Sequence, residues 1–267
     1  VLVIGAGPAG MEAARAAAEH GHRVTLYEKQ PCLGGALTIA AIPPGKEKIN
    51  WIAEYYAHEL PRLGVDIHLG EALEPDGVQA LEPDVVIIAT GSDFTAPDIP
   101  GTHNSNVLTA QSILAKRTHF TEQACVVIGG GMLGLETAEY LAANGNTVTV
   151  LKRYETIGRN IEPMYREYLL RKLEELGVEL KTKIQVKMIQ RDGVLIQDIS
   201  GEEYRVPAHW VVLARGAAAS NGLARALKGF NPVVIGDALQ PRKIIDAIKE
   251  GYEAARSIER NRSSEEN

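Results

Sequence analysis

The feature that most constrains this chain is an internal repeat. Residues 1–29 align without a gap on residues 125–153, at an offset of 124, with 11 identities in 29 positions. The shared residues include Gly5/Gly129, Gly7/Gly131, Gly10/Gly134, Glu12/Glu136 and Gly21/Gly145, then Val24-Thr25 against Val148-Thr149. Leu63-Gly64-Val65 recurs as Leu176-Gly177-Val178, and the apolar run 85–91 recurs as 211–216. Two similar units therefore follow one another, each a strand, a glycine-rich turn, a helix, a strand and a later strand. Ile49, Ile52, Ala53, Tyr56, Leu60 and Leu63 follow the spacing of one buried helix face, as do Tyr165, Leu169, Leu173 and Leu176. Pro61 falls inside the first pattern, and an interior proline predicts that this helix ends or kinks near Leu60. Near-continuous apolar strands alternating with helices mean a mostly parallel sheet covered on both faces. That is α/β, twice.

Composition excludes several classes. At 267 residues with 45 % apolar side chains, the chain has material for a sizeable core, so intrinsic disorder is out. A net charge of −6 offers no electrostatic footprint for nucleic acid. No apolar run approaches the roughly 18 residues of a membrane span, and no signal peptide opens the chain. Two cysteines cannot build a disulfide framework, which fits a reducing cytoplasm. The absence of an initiator Met, with Val1 already inside an apolar run, reads as a piece of something longer. Residues 263–267 read as a solvated tail.

Gly5-Ala6-Gly7-Pro8-Ala9-Gly10 follows a strand and opens a helix, the context that a dinucleotide fingerprint demands. The first glycine allows the tight turn, the second lets the backbone approach a pyrophosphate, and the third lets helix and strand pack closely. The helix N-terminus favours the phosphate charge. Glu28 ends the next strand, where a carboxylate can accept both ribose hydroxyls, and Lys29 follows it. A packing turn is the plain alternative. Gly34-Gly35 lets the chain pass close to a bound cofactor. Near the end, Gly236-Asp237 closes a short apolar strand before a helix from about Lys243 to Ile258, and Asp237 can hydrogen-bond a polyol chain.

In the second loop, Gly129-Gly130-Gly131-Met132-Leu133-Gly134 aligns on the first. The position matching Glu28 is Lys152, followed by Arg153, with Arg159 close by. A carboxylate there recognises the ribose diol of NADH; a cation there complements the 2′-phosphate of NADPH. The charges favour NADPH, with NADH kept as the alternative.

Together with Ala89-Thr90-Gly91, these motifs resemble the two-dinucleotide-binding-domain flavoproteins of the glutathione- and thioredoxin-reductase-like superfamily. More narrowly, Ile42-Pro43-Pro44-Gly45-Lys46 and the segment from Gly236 to Ile248 are similar to the C-terminal half of 2,4-dienoyl-CoA and 2-enoate reductases and trimethylamine dehydrogenase. The resemblance implies two interleaved Rossmann-like domains, the second inserted in the first. It places FAD in residues 1–95 plus 217–267 and NAD(P)H in residues 96–216. Site residues implied for the cofactors are Gly5, Gly7, Ala9, Gly10, Glu28, Lys29, Gly34, Gly35, Ala89, Thr90, Gly91, Gly236 and Asp237 in the first unit. In the second they are Gly129, Gly131, Met132, Leu133, Gly134, Lys152, Arg153 and Arg159.

The implied function is an FAD-dependent NAD(P)H oxidoreductase module, passing electrons to an upstream FMN and iron–sulfur domain or subunit. A non-catalytic ADP-binding module and a stand-alone oxidoreductase acting on a protein partner are the rivals. No catalytic side chain is required, because hydride transfer belongs to the cofactors. The chain departs from the disulfide reductases in having no Cys-x-x-Cys pair, since Cys32 and Cys125 are 93 positions apart. Arg215 stands where such relatives carry a small residue, and either meets a cofactor phosphate or reaches solvent. The seven histidines show no metal-ligand spacing, so no metal is expected.

Overall fold

A computed structural model describes residues 1–214 and 216–258; Arg215 and the 263–267 tail lie outside the described residues. In chain order the elements begin β1 (Leu2–Ile4), α1 (Pro8–Glu19), β2 (Thr25–Glu28), α2 (Leu37–Ala40), α3 (Asn50–Arg62), β3 (Asp66–Leu69), α4 (Pro75–Ala80), β4 (Val86–Ile88) and β5 (Ser92–Phe94). Next come β6 (Val107–Thr109), α5 (Ala110–Lys116), β7 (Ala124–Ile128), α6 (Met132–Ala143), β8 (Thr147–Leu151), α7 (Pro163–Glu175) and β9 (Glu179–Lys181). The chain continues through β10 (Gln185–Gln190), β11 (Gly193–Gln197), β12 (Glu203–Pro207), β13 (Trp210–Leu213), β14 (Ala217–Ala219), α8 (Gly222–Ala226), β15 (Val233–Val234) and α9 (Ile244–Arg256).

Two compact units result. The first holds Val1–Ala41, Lys48–Asp93 and the chain from Ala217 onward; the second holds Ile42–Glu47 and Phe94–Gly216. The short segment Ile42–Glu47, which the sequence pattern leaves in the first unit, belongs with the second.

The first unit has a five-stranded parallel sheet in the order β15-β4-β1-β2-β3. The second has the order β6-β13-β7-β8-β9, also parallel throughout. With β1 matched to β7, β2 to β8, β3 to β9 and β4 to β13, four strands of each sheet share one order, while the edge strand comes last in its unit as β15 and first as β6. Both are Rossmann-like. In each, strand order reverses beside the first strand, the switch point where open α/β sheets bind ligands. The crossovers differ: α4 leads into β4, whereas the antiparallel ribbon β10-β11-β12 leads into β13. That ribbon turns Ile189, Val194, Ile196 and Val206 onto Val126, Ile128, Val211 and Leu213 of its sheet.

Few aromatics are needed because α1 packs through small residues. Ala13, Ala14, Ala16 and Ala17 are fully buried. At its crossing with α9, a Cβ built on Gly251 would lie 2.3 Å from the Ala9 carbonyl oxygen, so only glycine fits there. The end of α3 falls within two residues of Leu60, as its proline predicts. The helix runs through Pro61 to Arg62. Pro61 lies one residue before the helix end, so its ring has almost no helix left to interrupt, and beyond it the Leu63 N–H still reaches the Glu59 carbonyl at 3.1 Å. Among the described residues, no helix is long and apolar enough to cross a membrane.

Candidate functional site

Five of the six fingerprint glycines divide by what surrounds them. A Cβ on Gly5 would lie 2.3 Å from the Ala89 carbonyl oxygen, and Gly5 has φ +102°, so the turn itself demands glycine. A Cβ on Gly10 would lie 1.8 Å from the Gly5 carbonyl oxygen, and one on Gly134 would lie 1.9 Å from that of Gly129. These are packing glycines. Gly7 and Gly131 are different, because a Cβ on either would meet no protein atom within 4 Å. Neither has positive φ, at −74° and −90°. Protein packing gives no reason for glycine at these two positions, but a group seated against the loop would. Gly7 and Gly131 are also the N-caps of α1 and α6, and neither helix start carries a side-chain cap. Open space thus faces amide donors that an anion can satisfy.

The ends of β2 and β8 show how the repeats diverge. Glu28 is buried; its Oε2 accepts the Ala6 N–H at 2.7 Å and its Oε1 accepts the Gln30 N–H at 2.8 Å. A carboxylate has about four acceptor positions, so two remain for a diol. Lys152 occupies the equivalent place and cannot accept from the Gly130 N–H. Its stem lies along the loop instead: a Cβ on Gly130 would come within 3.1 Å of Lys152 Cδ. The Lys152 ammonium lies 5.7 Å from the Tyr154 ring centroid. Arg153 and Arg159 are exposed. The chain between them returns to the glycine loop, where the Gly158 N–H donates to the Gly130 carbonyl at 2.8 Å. Met132 is exposed and Leu133 half-buried in the first turn of α6.

In the first unit, further predicted residues meet around the same loop. The Gly34 N–H donates to the Ala6 carbonyl at 2.9 Å, and a Cβ on Gly35 would lie 3.0 Å from Gly7 Cα. The glycine pair therefore packs on the loop itself. The Ala89 N–H donates to the Ile4 carbonyl at 2.8 Å, and the Thr90 hydroxyl to the Ser220 carbonyl at 2.5 Å. The Ser220 N–H returns to the Gly91 carbonyl at 3.0 Å. Ser92 Oγ approaches Asp237 Oδ2 at 3.4 Å, linking this segment to Gly236-Asp237. Lys29 is exposed, apart from these contacts.

Beneath each cradle lies a buried carboxylate. Glu12 accepts two hydrogen bonds from Arg15, each of 2.8 Å, and one from the Tyr56 hydroxyl at 2.9 Å. Glu136 pairs with the Lys46 ammonium and accepts from the Tyr165 hydroxyl at 3.3 Å. The residue matching Arg15 at the repeat offset is Glu139, itself buried. Its carboxyl is raised above the usual range, first by burial and then by Glu136, with Lys46 and Lys172 pulling it back. The second unit thus replaces a cation of its own helix by one from the Ile42–Glu47 segment. Sequence reasoning saw Glu12 and Glu136 as repeated residues but missed their partners. It also missed Ser92 and Glu250, which no motif marks.

The sequence profile of the pyridine nucleotide-disulphide oxidoreductases matches residues 1–230. The chain belongs to this family. Members bind FAD and NAD(P)H, in keeping with two Rossmann-like folds. The chain is 41 % identical to an NADH oxidase of Thermoanaerobacter brockii over 97 % of its own length and 41 % of the relative's. It is 38 % identical to a bilirubin reductase of Mediterraneibacter gnavus, covering 96 % of this chain and 40 % of that protein. Among solved structures, a 2-naphthoyl-CoA reductase complex superposes with TM-score 0.91 at 34 % identity, over 96 % of this chain and 39 % of the other. Thioredoxin reductase of Lactococcus lactis, at 22 % identity and TM-score 0.77, shares the fold over 96 % of both chains. The chain spans about two fifths of the length of these two curated relatives.

Despite the family's name, Cys32 and Cys125 are both free. Cys32 is exposed; Cys125 is buried in β7, which pushes its thiol up to about 11. A thiol so raised is a poor nucleophile at neutral pH. Among the described residues, no His, Cys, Asp and Glu group is placed to hold a metal ion.

Proposed function

We propose that this chain is the NADPH-oxidising module of a larger flavoenzyme. It holds FAD in the first unit and NADPH in the second, and passes electrons to a portion of the enzyme bearing FMN and an iron–sulfur cluster. The single observation that carries the reading is the pair Gly7 and Gly131, each a helix N-cap beside space no protein atom fills. Each cradle fits a pyrophosphate, because a side chain there would fill the space that the group needs.

Glu28, already oriented by two backbone amides, has acceptor positions left for an adenosine ribose diol. Asp237 supplies a carboxylate suited to a polyol. In the second unit Lys152 and Arg153 present cations at the place of Glu28, which suits a 2′-phosphate. The Thermoanaerobacter relative carries the other cofactor in its name, so the choice here rests on these two side chains. When bound, FAD and NADPH supply the hydride and electron chemistry. The protein's part is to bind, orient and exclude water. The size of the relatives supports a role within something larger, and their reductase and oxidase names support the reaction class.

The test is an absorbance spectrum after loading with FAD, followed by anaerobic reduction with NADPH and, separately, NADH. Bleaching of a yellow protein at least several-fold faster with NADPH is the expected result. A chain that takes up ADP but not FAD points to the structural module instead. Equal rates, or faster reduction by NADH, overturn the cofactor choice.

A further inference from the structure

We infer that Glu250 is the positioning residue that holds Asp237 in place for the cofactor of the first unit. Asp237 sits in a three-residue turn, Gly236–Ala238, that follows β15. Gly236 has φ +62°, and a Cβ there would lie 2.7 Å from Ala9 Cβ, so the turn is pressed against the start of α1. The Leu239 and Gln240 N–H groups close the turn on the Gly236 carbonyl, each at 3.0 Å, and a side chain of α9 holds its opening amide. The Gly236 N–H donates to Glu250 Oε2 at 2.7 Å, and the other carboxylate oxygen pairs with the Arg242 guanidinium. The Arg242 backbone N–H in turn donates to Asp237 Oδ1 at 3.0 Å. One side chain on α9 thus grips the residue before Asp237 and the residue whose amide orients its carboxylate.

Among the described residues, Asp237 has one close donor, the Arg242 amide, and a long contact to Ser92. Acceptor positions remain for hydroxyl groups, provided that the carboxylate stays aimed. Charge-assisted hydrogen bonds such as those of Glu250 are the stronger ones, and a displaced ligand group loses affinity even when its chemistry is intact. Glu250 touches no ligand in this scheme. It acts through Asp237.

The inference rests on the FAD reading, and its test separates the two. FAD binding to the full chain, stripped of nucleotide, is measured for Glu250→Ala, Glu250→Gln, Asp237→Ala and the double variant Asp237→Ala/Glu250→Ala. Glu250→Ala should weaken FAD binding tenfold or more. Glu250→Gln, which keeps an acceptor for the Gly236 N–H, should lose less than about fivefold. In the double variant the Glu250 change should add less than twofold to the loss from Asp237→Ala, because non-additivity is the mark of one residue acting through another.

Hydrogen exchange gives a readout without FAD: the 233–242 segment of Glu250→Ala should exchange faster than in the parent chain. Glu253→Ala, which breaks only an exposed pair with Lys249 on the same helix, should change neither property. Parent-like FAD affinity in Glu250→Ala, losses that multiply in the double variant, or unchanged exchange each overturn the inference. If Glu250→Ala does not fold, the same cycle built with Glu250→Gln decides it, with full additivity as the contrary result. A parent chain that takes up no FAD while the exchange difference persists overturns the cofactor reading instead.

Discussion

Replacing Lys46 by Met tests how the second unit tolerates its buried acids. The Lys46 and Glu136 side chains are 17 % and 7 % exposed, so the pair is largely shielded from water. Removing one partner of a buried pair costs roughly 3–5 kcal/mol, because the remaining charge is left without compensation. Tyr165 still donates to Glu136 at 3.3 Å and offsets part of that, at about 1 kcal/mol for a retained hydrogen bond. The expected loss is therefore about 2–4 kcal/mol at neutral pH. Glu139 sets the pH dependence. Its carboxyl is already raised, mainly by burial, and loses the lowering influence of Lys46 in the variant. An acid raised in the folded state binds more protons there than in the unfolded chain, so its contribution falls as pH rises. The deficit should shrink as pH falls through the raised value.

Each unit has its own tryptophan, Trp51 in the first and Trp210 in the second, where Trp210 stacks on Phe120 at 4.7 Å. In a Trp51→Phe background, urea unfolding followed by fluorescence reports the second unit alone, as a two-unit chain requires. The decisive variant adds Glu139→Arg to Lys46→Met. It recreates the three-residue spacing by which Arg15 neutralises Glu12 in the first unit, and should recover at least half of the loss. A loss below about 0.5 kcal/mol, within the range of ordinary surface changes, would refute the reasoning, as would an arginine that fails to help.

The two classes of glycine give a paired test. Gly131→Ala should cost no more than about 1 kcal/mol of folding stability, as an N-cap change, but weaken NADPH binding at least tenfold, whereas Gly134→Ala, aimed at the Gly129 carbonyl, should destabilise the second unit outright; unfolding and nucleotide titrations read the two effects. Glu28→Ala should weaken FAD binding tenfold to a hundredfold, since a hydrogen bond to a charged group contributes about 1.5–3 kcal/mol, and isothermal titration measures it. Lys152→Glu combined with Arg153→Ala should shrink the NADPH-over-NADH ratio of flavin reduction rates measured by stopped flow. Replacing both Cys32 and Cys125 by Ser should leave reduction of ferricyanide by the FAD-loaded chain within about twofold, because neither thiol carries electrons in this scheme.

What the sequence made legible is what is local or repeated. The glycine loops, the strand after each helix and the residue closing that strand lie within thirty positions of one another. A gapless alignment therefore carries the strand, loop, helix and strand that open one unit onto the other. The contacts between distant segments behave differently. Lys46 reaches Glu136 across 90 positions, from a segment whose prolines and glycine announce only a turn. The exchange of Arg15 for Glu139 stood in the alignment all along, yet it has no meaning until burial is known, because an exposed helix tolerates either charge. Glu250 is similar: on the polar side of α9 it is one acid among several, and only the fold shows that its carboxylate faces the Gly236 amide. Pro61 marks the opposite limit, a strong local signal whose consequence depended on lying one residue from the helix end. Side chains that serve a site through backbone amides leave no pattern of their own, since an amide belongs to every residue type except proline. The divergence of the repeats is the exception: Glu28 and Lys152 occupy one position on one scaffold, and the proposed difference in partners rests on their opposite charges.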